Sequence, residues 1–343
     1  PSLDWTAPHC QTPDSPDSAD SSDSGDNSGE KVRVGVVSMH LYFHTIGRLV
    51  HGLINHLPRE RLEVVVFRPP GKEDKLSAGI DRAADKMVRI PKNLTAARAA
   101  IAAETLDVLF YPDIGMEPFT YFLAFSRLAP VQCVTWGHPV TTGIPNMDYF
   151  LSCADMEPVD MESSGADGHY CERLIRLAAP PTYYEQPKIP EDLASREDFG
   201  FSDKNRLYVC PQNLFKLHPD FDAVFAQILR RDGEGLLVLI EGMQAHWNRL
   251  FMERFSKSFA DLADRVRFVP RMDASHFFAL LKAADVILDC PYFSGGNTTF
   301  EALAVAAPII TMPGEFMRGR VSAGLLQRMG LEQCIAGDFD DYV

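Results

Sequence analysis

The chain has 343 residues, 46% of them hydrophobic and 23% charged, with a formal net charge of −14 at neutral pH. That is enough apolar material for two domains with separate cores. The acidic balance excludes general nucleic-acid binding, which rests on Lys and Arg against phosphate, and no apolar run is long enough to span a bilayer.

The first elements are compositional. Residues 1–30 carry Asp4, Asp14, Asp17, Asp20, Asp23, Asp26 and Glu30 and no Lys or Arg. The Asp/Ser tract "TPDSPDSADSSDSGDNSGE" has too little apolar surface to order itself, so 1–30 reads as a disordered acidic leader, either a solvated spacer or a phosphorylatable arm. The folded remainder is only mildly acidic and can hold an anion in a basic pocket.

Apolar runs then alternate with helical patterns. "VRVGVVS" (32–38) predicts a buried strand, and 45–57 a helix with Ile46, Leu49, Val50, Leu53, Ile54 and Leu57 at helical spacing. Strand 62–67, helix 93–104 and strands 107–111 and 131–136 continue the series. Such a βαβ succession implies a parallel sheet covered on both faces. The proline-rich, mixed-charge stretch 179–203 breaks the rhythm and reads as an interdomain connection. A second series follows: strand 207–210, helix 219–231, strand 236–240, helix 246–262, strand 266–269, helix 274–284, strand 286–290, helix 297–305 and strand 308–312. The expected domains are 31–180, an intervening connection 181–204, and 205–343. Two Rossmann-like halves leave a cleft, and ligands of open parallel sheets sit at the carboxyl ends of the strands.

The densest functional signal is "SGGNTTFEALA" (294–304). A strand end, a turn containing Gly295 and Gly296, and Asn297, Thr298 and Thr299 at a helix start suit a phosphate. Backbone N–H groups and the helix dipole favour an anion there, and glycines admit close approach. Glu301, one turn on, is placed to accept hydrogen bonds from a ribose diol. The competing reading is a helix capped by Asn297, with Glu301 a surface acid. There is no G-x-G-x-x-G and no G-x-x-x-x-G-K-[ST], so neither a dinucleotide fold nor a P-loop is indicated.

The loop "PQNLFKLHP" (211–219) follows another strand with Gln212, Asn213, Phe215, Lys216 and His218. Lys216 is a compact cation able to neutralise a diphosphate leaving group, or an ordinary loop lysine. "SMHLYFHTIGR" (38–48) places His40 and His44 at a strand end, as acid, base or donor, or as structural histidines. "WGHPVTTG" (136–143) adds His138, Thr141 and Thr142. The D-x-D in "DFDD" (338–341) reads as a solvated acidic turn, and His40, His44, His51 and His56 lack zinc-ligand spacing. Arg318 and Arg320 lie near a helix start, where arginines can serve phosphate. Cys10, Cys133, Cys153, Cys171, Cys210, Cys290 and Cys334 are odd in number and widely spaced, without C-x-x-C. They suggest reduced thiols in a cytoplasmic or nucleocytoplasmic protein.

In succession, "VRVGVVS…FHTIGR", "PVQCVTWGHPVTTG…MDYF", "PQNLFKLHPD" and "ADVILDCPYFSGGNTTFEALAVAAPIITMPGEFMRGRV" resemble the catalytic region of the O-linked N-acetylglucosamine transferase family, SPINDLY-like relatives included. The resemblance covers about 31–343. It implies an α/β GT-B fold of two Rossmann-like domains with parallel sheets facing a cleft. It also implies inverting transfer of a sugar from a UDP-sugar donor to a protein hydroxyl, with no cofactor and no catalytic metal, and tetratricopeptide repeats upstream in the full-length protein. Fucose or another hexose as donor sugar, or a non-catalytic nucleotide-sugar scaffold, are its alternatives.

Residue by residue, the resemblance gives His44 and Lys216 catalytic roles. It assigns nucleotide-sugar binding to Gln212, Asn213, Phe215, Arg271, His276, Gly296, Asn297, Thr298, Thr299 and Glu301, and places His138 and Thr142 on the acceptor or sugar side. Phe215 and Asn297 stand where better-known members carry Tyr and His. By the same resemblance 205–343 reads as a truncated nucleotide-sugar domain lacking its final helices, and nucleic acid and membrane are not expected partners.

Overall fold

The computed structural model describes residues 3–11, 31–158 and 166–343. The chain divides into two compact units, Pro1–Ala154 with Val159–Glu185, and Asp155–Pro158 with Gln186–Val343.

The first unit is a seven-stranded, wholly parallel sheet in the order β3-β2-β1-β4-β5-β6-β7. Its strands are β1 (Val32–Val37), β2 (Leu62–Arg68), β3 (Lys86–Arg89), β4 (Val108–Tyr111), β5 (Val131–Thr135), β6 (Tyr149–Cys153) and β7 (Arg173–Leu177). Helices α1 (Thr45–His56), α2 (Lys75–Ala83), α3 (Leu94–Ala102) and α4 (Pro118–Leu123) lie between them. Ile46, Leu49, Val50 and Ile54 form the buried stripe of α1, the amphipathic face its periodicity predicts. The order reverses between β1 and β4, so the loops after these two strands diverge and open a crevice at their carboxyl ends.

The second unit is a five-stranded parallel sheet in the order β10-β9-β8-β11-β12. It comprises β8 (Arg206–Cys210), β9 (Gly235–Ile240), β10 (Val266–Val269), β11 (Val286–Leu288) and β12 (Ile309–Ile310). The helices are α5 (Asp222–Arg231), α6 (Ala245–Ser258), α7 (Ala274–Ala283), α8 (Asn297–Ala304), α9 (Val321–Arg328) and α10 (Phe339–Tyr342). Leu237 and Leu239 of β9 pack with Phe221, Phe225 and Phe255 on one face. Leu236 and Val238 pack with Leu280, Leu281 and Ala302 on the other. Alternate residues of one strand thus feed two cores, which is why the strand reads as a continuous apolar run.

Two boundaries differ from expectation. Residues 3–11 are ordered: Ala7 is fully buried, its N–H donates to the Arg127 carbonyl, and Arg127 N–H donates to the Trp5 carbonyl, both at 2.8 Å. Trp5, Ala7 and backbone pairing anchor this stretch, whereas the Asp/Ser tract at 12–30 lies outside the described residues. The connection expected over 181–204 is divided, with 181–185 in the first unit and the rest in the second. Phe201 is buried against the second sheet and Arg196 pairs with Asp285 at 2.9 Å, so apolar and ionic contacts hold this stretch to the domain that follows.

Candidate functional site

In the second unit β8 and β11 are adjacent, so the loops leaving their carboxyl ends are neighbours. The "PQNLFK" and "SGGNTT" segments therefore meet within this one domain. The buried Gln212 side chain bridges them. Its Nε2 donates to Thr298 Oγ1 at 3.2 Å, and its Oε1 accepts from Lys216 Nζ at 3.3 Å. Lys216 sits with Nζ 4.1 Å from the Phe293 ring centroid. Burial pulls its pKa down while the nearby Asp289 carboxylate pushes it up. A half-buried cation opposite a helix start suits a multiply charged anion, which would restore the charge balance that burial disturbs.

The helix start has no side-chain cap: Gly296 occupies the N-cap position of α8, so the first-turn amides rely on other partners. Gly295 lies where three side chains converge: a Cβ there would sit 2.6 Å from Thr298 Oγ1 and 2.9 Å from Gln212 Nε2. Here glycine is required by close approach rather than by φ. Thr298 is half-buried. Because its oxygen already accepts from Gln212, its own hydroxyl proton is directed elsewhere.

Beneath the turn lies Asp289, at the end of the β11 segment and fully buried. It accepts from Gly295 N–H at 2.7 Å and from Thr311 Oγ1 at 2.7 Å, with Ser322 a further partner. Burial raises its pKa to about 6 against these hydrogen bonds and the Lys216 charge. Neither Asp289 nor its partners stood out in the motif analysis. The signal available was a lone carboxylate closing the apolar run "VIL".

A cavity of about 170 Å³ opens at the carboxyl ends of β8, β9 and β10, with Gln212, Asn213, Ile240, Glu241, Arg271 and Phe277 among its walls. Amide, carboxylate and guanidinium groups beside Phe277 suit a planar heterocycle with hydrogen-bonding edges. Gln212 belongs both to this cavity and to the Lys216 cluster, so the two are contiguous.

The remaining expected residues fall in different places. Thr299 is buried, with its hydroxyl 2.7 Å from Ser322 Oγ; Asn297 is buried too. Glu301 is only 5% exposed and does not line the cavity, because α8 turns it toward the protein interior. His276 is exposed, paired with Asp273 at 2.8 Å at the start of α7, and Phe277 rather than His276 faces the cavity. Phe215 is 64% exposed, edge-on to Trp247. The D-x-D residues serve their own backbone: Asp338 caps α10 by accepting from Asp341 N–H at 2.8 Å, and Asp341 accepts from Gly337 N–H at 2.9 Å. Arg320 donates to the Gly314 carbonyl at 2.9 Å, while Arg318 stacks on Phe316.

The first unit gathers a second polar group at its own order reversal. Ser38, after β1, donates to the buried Asp113, after β4, at 2.8 Å and accepts from His40 N–H at 2.9 Å. Burial lifts the Asp113 pKa to about 7, opposed by the Ser38 bond and assisted by Glu117. The His40 and His44 rings stack at 4.3 Å. His44 caps α1: its Nδ1 accepts from Ile46 N–H at 3.3 Å, which leaves the proton of the neutral ring on Nε2. Burial first, then His40, Arg48 and Lys72, lower its pKa to about 4. His44 is therefore neutral at physiological pH and presents a donor, not a basic lone pair. His138 packs against Gly115, whose φ of +106° and lack of Cβ make room for the ring; burial lowers the His138 pKa. Thr142 does not join them, because its backbone N–H and hydroxyl both donate to Glu172.

Residues 180–343 match the model of glycosyl transferase family 41. The chain is 23% identical over 312 residues to the probable UDP-N-acetylglucosamine–peptide N-acetylglucosaminyltransferase SEC of Arabidopsis thaliana, spanning 88% of this chain and 31% of that protein. It is 25% identical over 330 residues to SPINDLY of the same plant, spanning 91% and 34%. It is 25% identical over 253 residues to a UDP-glucose:protein N-beta-glucosyltransferase of Actinobacillus pleuropneumoniae, spanning 72% and 38%. The chain thus spans about a third of the length of these curated relatives. Among solved structures, a mutant O-GlcNAc transferase of Thermobaculum terrenum is similar with a TM-score of 0.79 and 24% identity, over 92% of this chain and 59% of that one. The fold is that of the GT-B glycosyltransferases.

Proposed function

We propose that the chain transfers a sugar from a UDP-sugar donor to a protein, because residues 180–343 match the model of glycosyl transferase family 41 and most of the chain is similar to O-GlcNAc transferases. The donor sugar is N-acetylglucosamine, the acceptor a Ser or Thr hydroxyl, and the reaction inverts the anomeric centre without a metal. The observation that carries this reading is the continuous Lys216–Gln212–Thr298 chain beside an uncapped α8 start.

The nucleoside occupies the cavity of Gln212, Asn213 and Arg271, and the diphosphate lies across Lys216, Thr298 and the first turn of α8. As the sugar's bond to the diphosphate breaks, negative charge grows on the leaving group, and these fixed donors stabilise it. His44 acts through its Nε2–H as a hydrogen-bond donor to substrate. The bacterial glucosyltransferase relative supports a second reading in which the donor is a UDP-hexose. No helix among the described residues is long and apolar enough to cross a membrane, and all seven cysteines are free. The same reading carries a cytoplasmic or nucleocytoplasmic location, with tetratricopeptide repeats upstream presenting the acceptor.

The test is to incubate the chain with labelled UDP-GlcNAc, UDP-glucose and GDP-fucose in parallel, with and without EDTA, and to measure UDP binding by calorimetry. Turnover of UDP-GlcNAc unaffected by EDTA is expected. Turnover of another donor alone would reassign the sugar, abolition by EDTA would require a metal, and UDP binding without any turnover would make this a scaffold.

A further inference from the structure

In the first unit, the loop after β1 is built as a succession of hydrogen bonds that each span two residues. Ser38 Oγ accepts from His40 N–H at 2.9 Å, the His40 carbonyl accepts from Tyr42 N–H at 2.8 Å, and the Tyr42 carbonyl accepts from His44 N–H at 2.6 Å. His44 Nδ1 then accepts from Ile46 N–H in the first turn of α1 at 3.3 Å. Turns of this kind lack the support of a regular ladder, so the place of each residue depends on the one before it. The series begins at Ser38, whose hydroxyl donates to Asp113 Oδ2 at 2.8 Å.

Asp113 is a costly anchor. It is fully buried, among the described residues no cation pairs with it, and Glu117, the charged group that acts on it, has the same sign. Its second oxygen, Oδ1, is buried without a hydrogen-bond partner among the described residues. A carboxylate buried in this way costs stability, so its value lies in what it holds. Its own support is firm: Gly137, after β5, lies so close to the loop after β4 that a Cβ there would come within 2.2 Å of the Pro112 carbonyl oxygen. What Asp113 holds leads to a histidine pair. The His40 and His44 rings stack at 4.3 Å with 21° between their planes, so fixing the His40 backbone also fixes the surface against which the His44 ring lies.

We infer that Asp113 is a positioning residue that acts through Ser38, setting the 38–44 loop so that His44 presents its Nε2–H to substrate. The inference rests on the proposed transfer reaction, in which His44 is a donor, and adds the groups that aim it. A second tie, from Phe43 N–H to Asp74 at 2.6 Å, holds the exposed side of the loop. Removing the Ser38 link therefore loosens the aim of His44 without releasing the loop.

The experiment compares Ser38→Ala, Asp113→Leu and Asp113→Asn with the wild type by nitrogen-15 NMR titration of His44, by kcat and donor KM with UDP-GlcNAc, and by UDP calorimetry. Ser38→Ala cuts the link and removes a single oxygen. In this variant the His44 pKa rises from about 4 toward the ordinary 6.5 as the ring loses burial. Its kcat falls by about tenfold or more, with donor KM, UDP affinity and melting temperature little changed. Asp113→Leu repeats the His44 shift and the fall in kcat. Asp113→Asn keeps an oxygen for the Ser38 hydroxyl, so it retains the low His44 pKa and most of the rate. An unchanged His44 titration in Ser38→Ala overturns the inference, as does a loss of rate in Asp113→Asn equal to that in Asp113→Leu. A shifted titration with kcat unchanged would show that the aim of His44 does not matter to transfer, and overturns it too. Because the titration needs no turnover, it judges the link from Asp113 to His44 separately from the proposed reaction.

Discussion

Gln212 Nε2 donates to Thr298 Oγ1 at 3.2 Å while Gln212 Oε1 accepts from Lys216 at 3.3 Å, so one buried amide fixes both the cation and the hydroxyl of the cradle. Gln212→Leu keeps the volume but releases both partners. It should weaken UDP binding by about tenfold, the order expected for losing one or two hydrogen bonds of about 1 kcal/mol each. Calorimetry reads this directly; unchanged affinity would show that the bridge does not organise the site.

Gly295→Ala tests the close approach. The added methyl meets Thr298 Oγ1 at 2.6 Å and Gln212 Nε2 at 2.9 Å, so those polar groups must move. UDP affinity should fall by about tenfold or more, with circular dichroism unchanged. Retained affinity would mean that the bridge tolerates rearrangement.

Asp289 makes a pH prediction. Its folded pKa, about 6, lies above the ordinary 3.8. Between these values the folded protein holds a proton that the unfolded chain has released, so this group's contribution to stability falls as pH rises from about 4 to 6 and then levels. Asp289→Asn cannot titrate, and the difference in melting temperature between wild type and variant should follow that limb. Removing the Lys216 charge, which holds the pKa down, should shift the limb to higher pH. A pH-independent difference would show that Asp289 does not titrate there.

His44 carries the opposite sign. Its folded pKa of about 4 lies below the ordinary 6.5, so its contribution to stability is complete above 6.5 and is lost as pH falls toward 4. Protonation also abolishes the Nδ1 lone pair that caps α1. Nitrogen-15 NMR at pH 7 should report a neutral ring protonated on Nε2; an imidazolium, or the Nδ1–H tautomer, would contradict the capping geometry.

The alternating strands and helices were legible because fully buried parallel strands leave continuous apolar runs. β3, β6 and β7 were missed because "KMVR", "YFLSC" and "RLIRL" are short, and several of their residues are only half-buried. The glycine turn before α8 and the loop carrying Lys216 could be read from contiguous motifs at strand ends. That these two loops adjoin could not, because adjacency follows from the pairing of β8 with β11, which no local pattern encodes. Asp289 was hidden for the same reason: Thr311 and Ser322, its partners, lie on later segments. That Glu301 and Thr299 are buried could not be read either, since spacing along α8 places a residue on a face without saying whether that face is open.

The most direct test of the account is Lys216→Ala in the chain, assayed for UDP-sugar turnover at saturating donor. Removal of the cation proposed to meet the leaving diphosphate should slow turnover by about a hundredfold or more, with the melting temperature little changed. Turnover within a few fold of wild type would contradict the assignment of Lys216 and its cradle as the seat of the reaction.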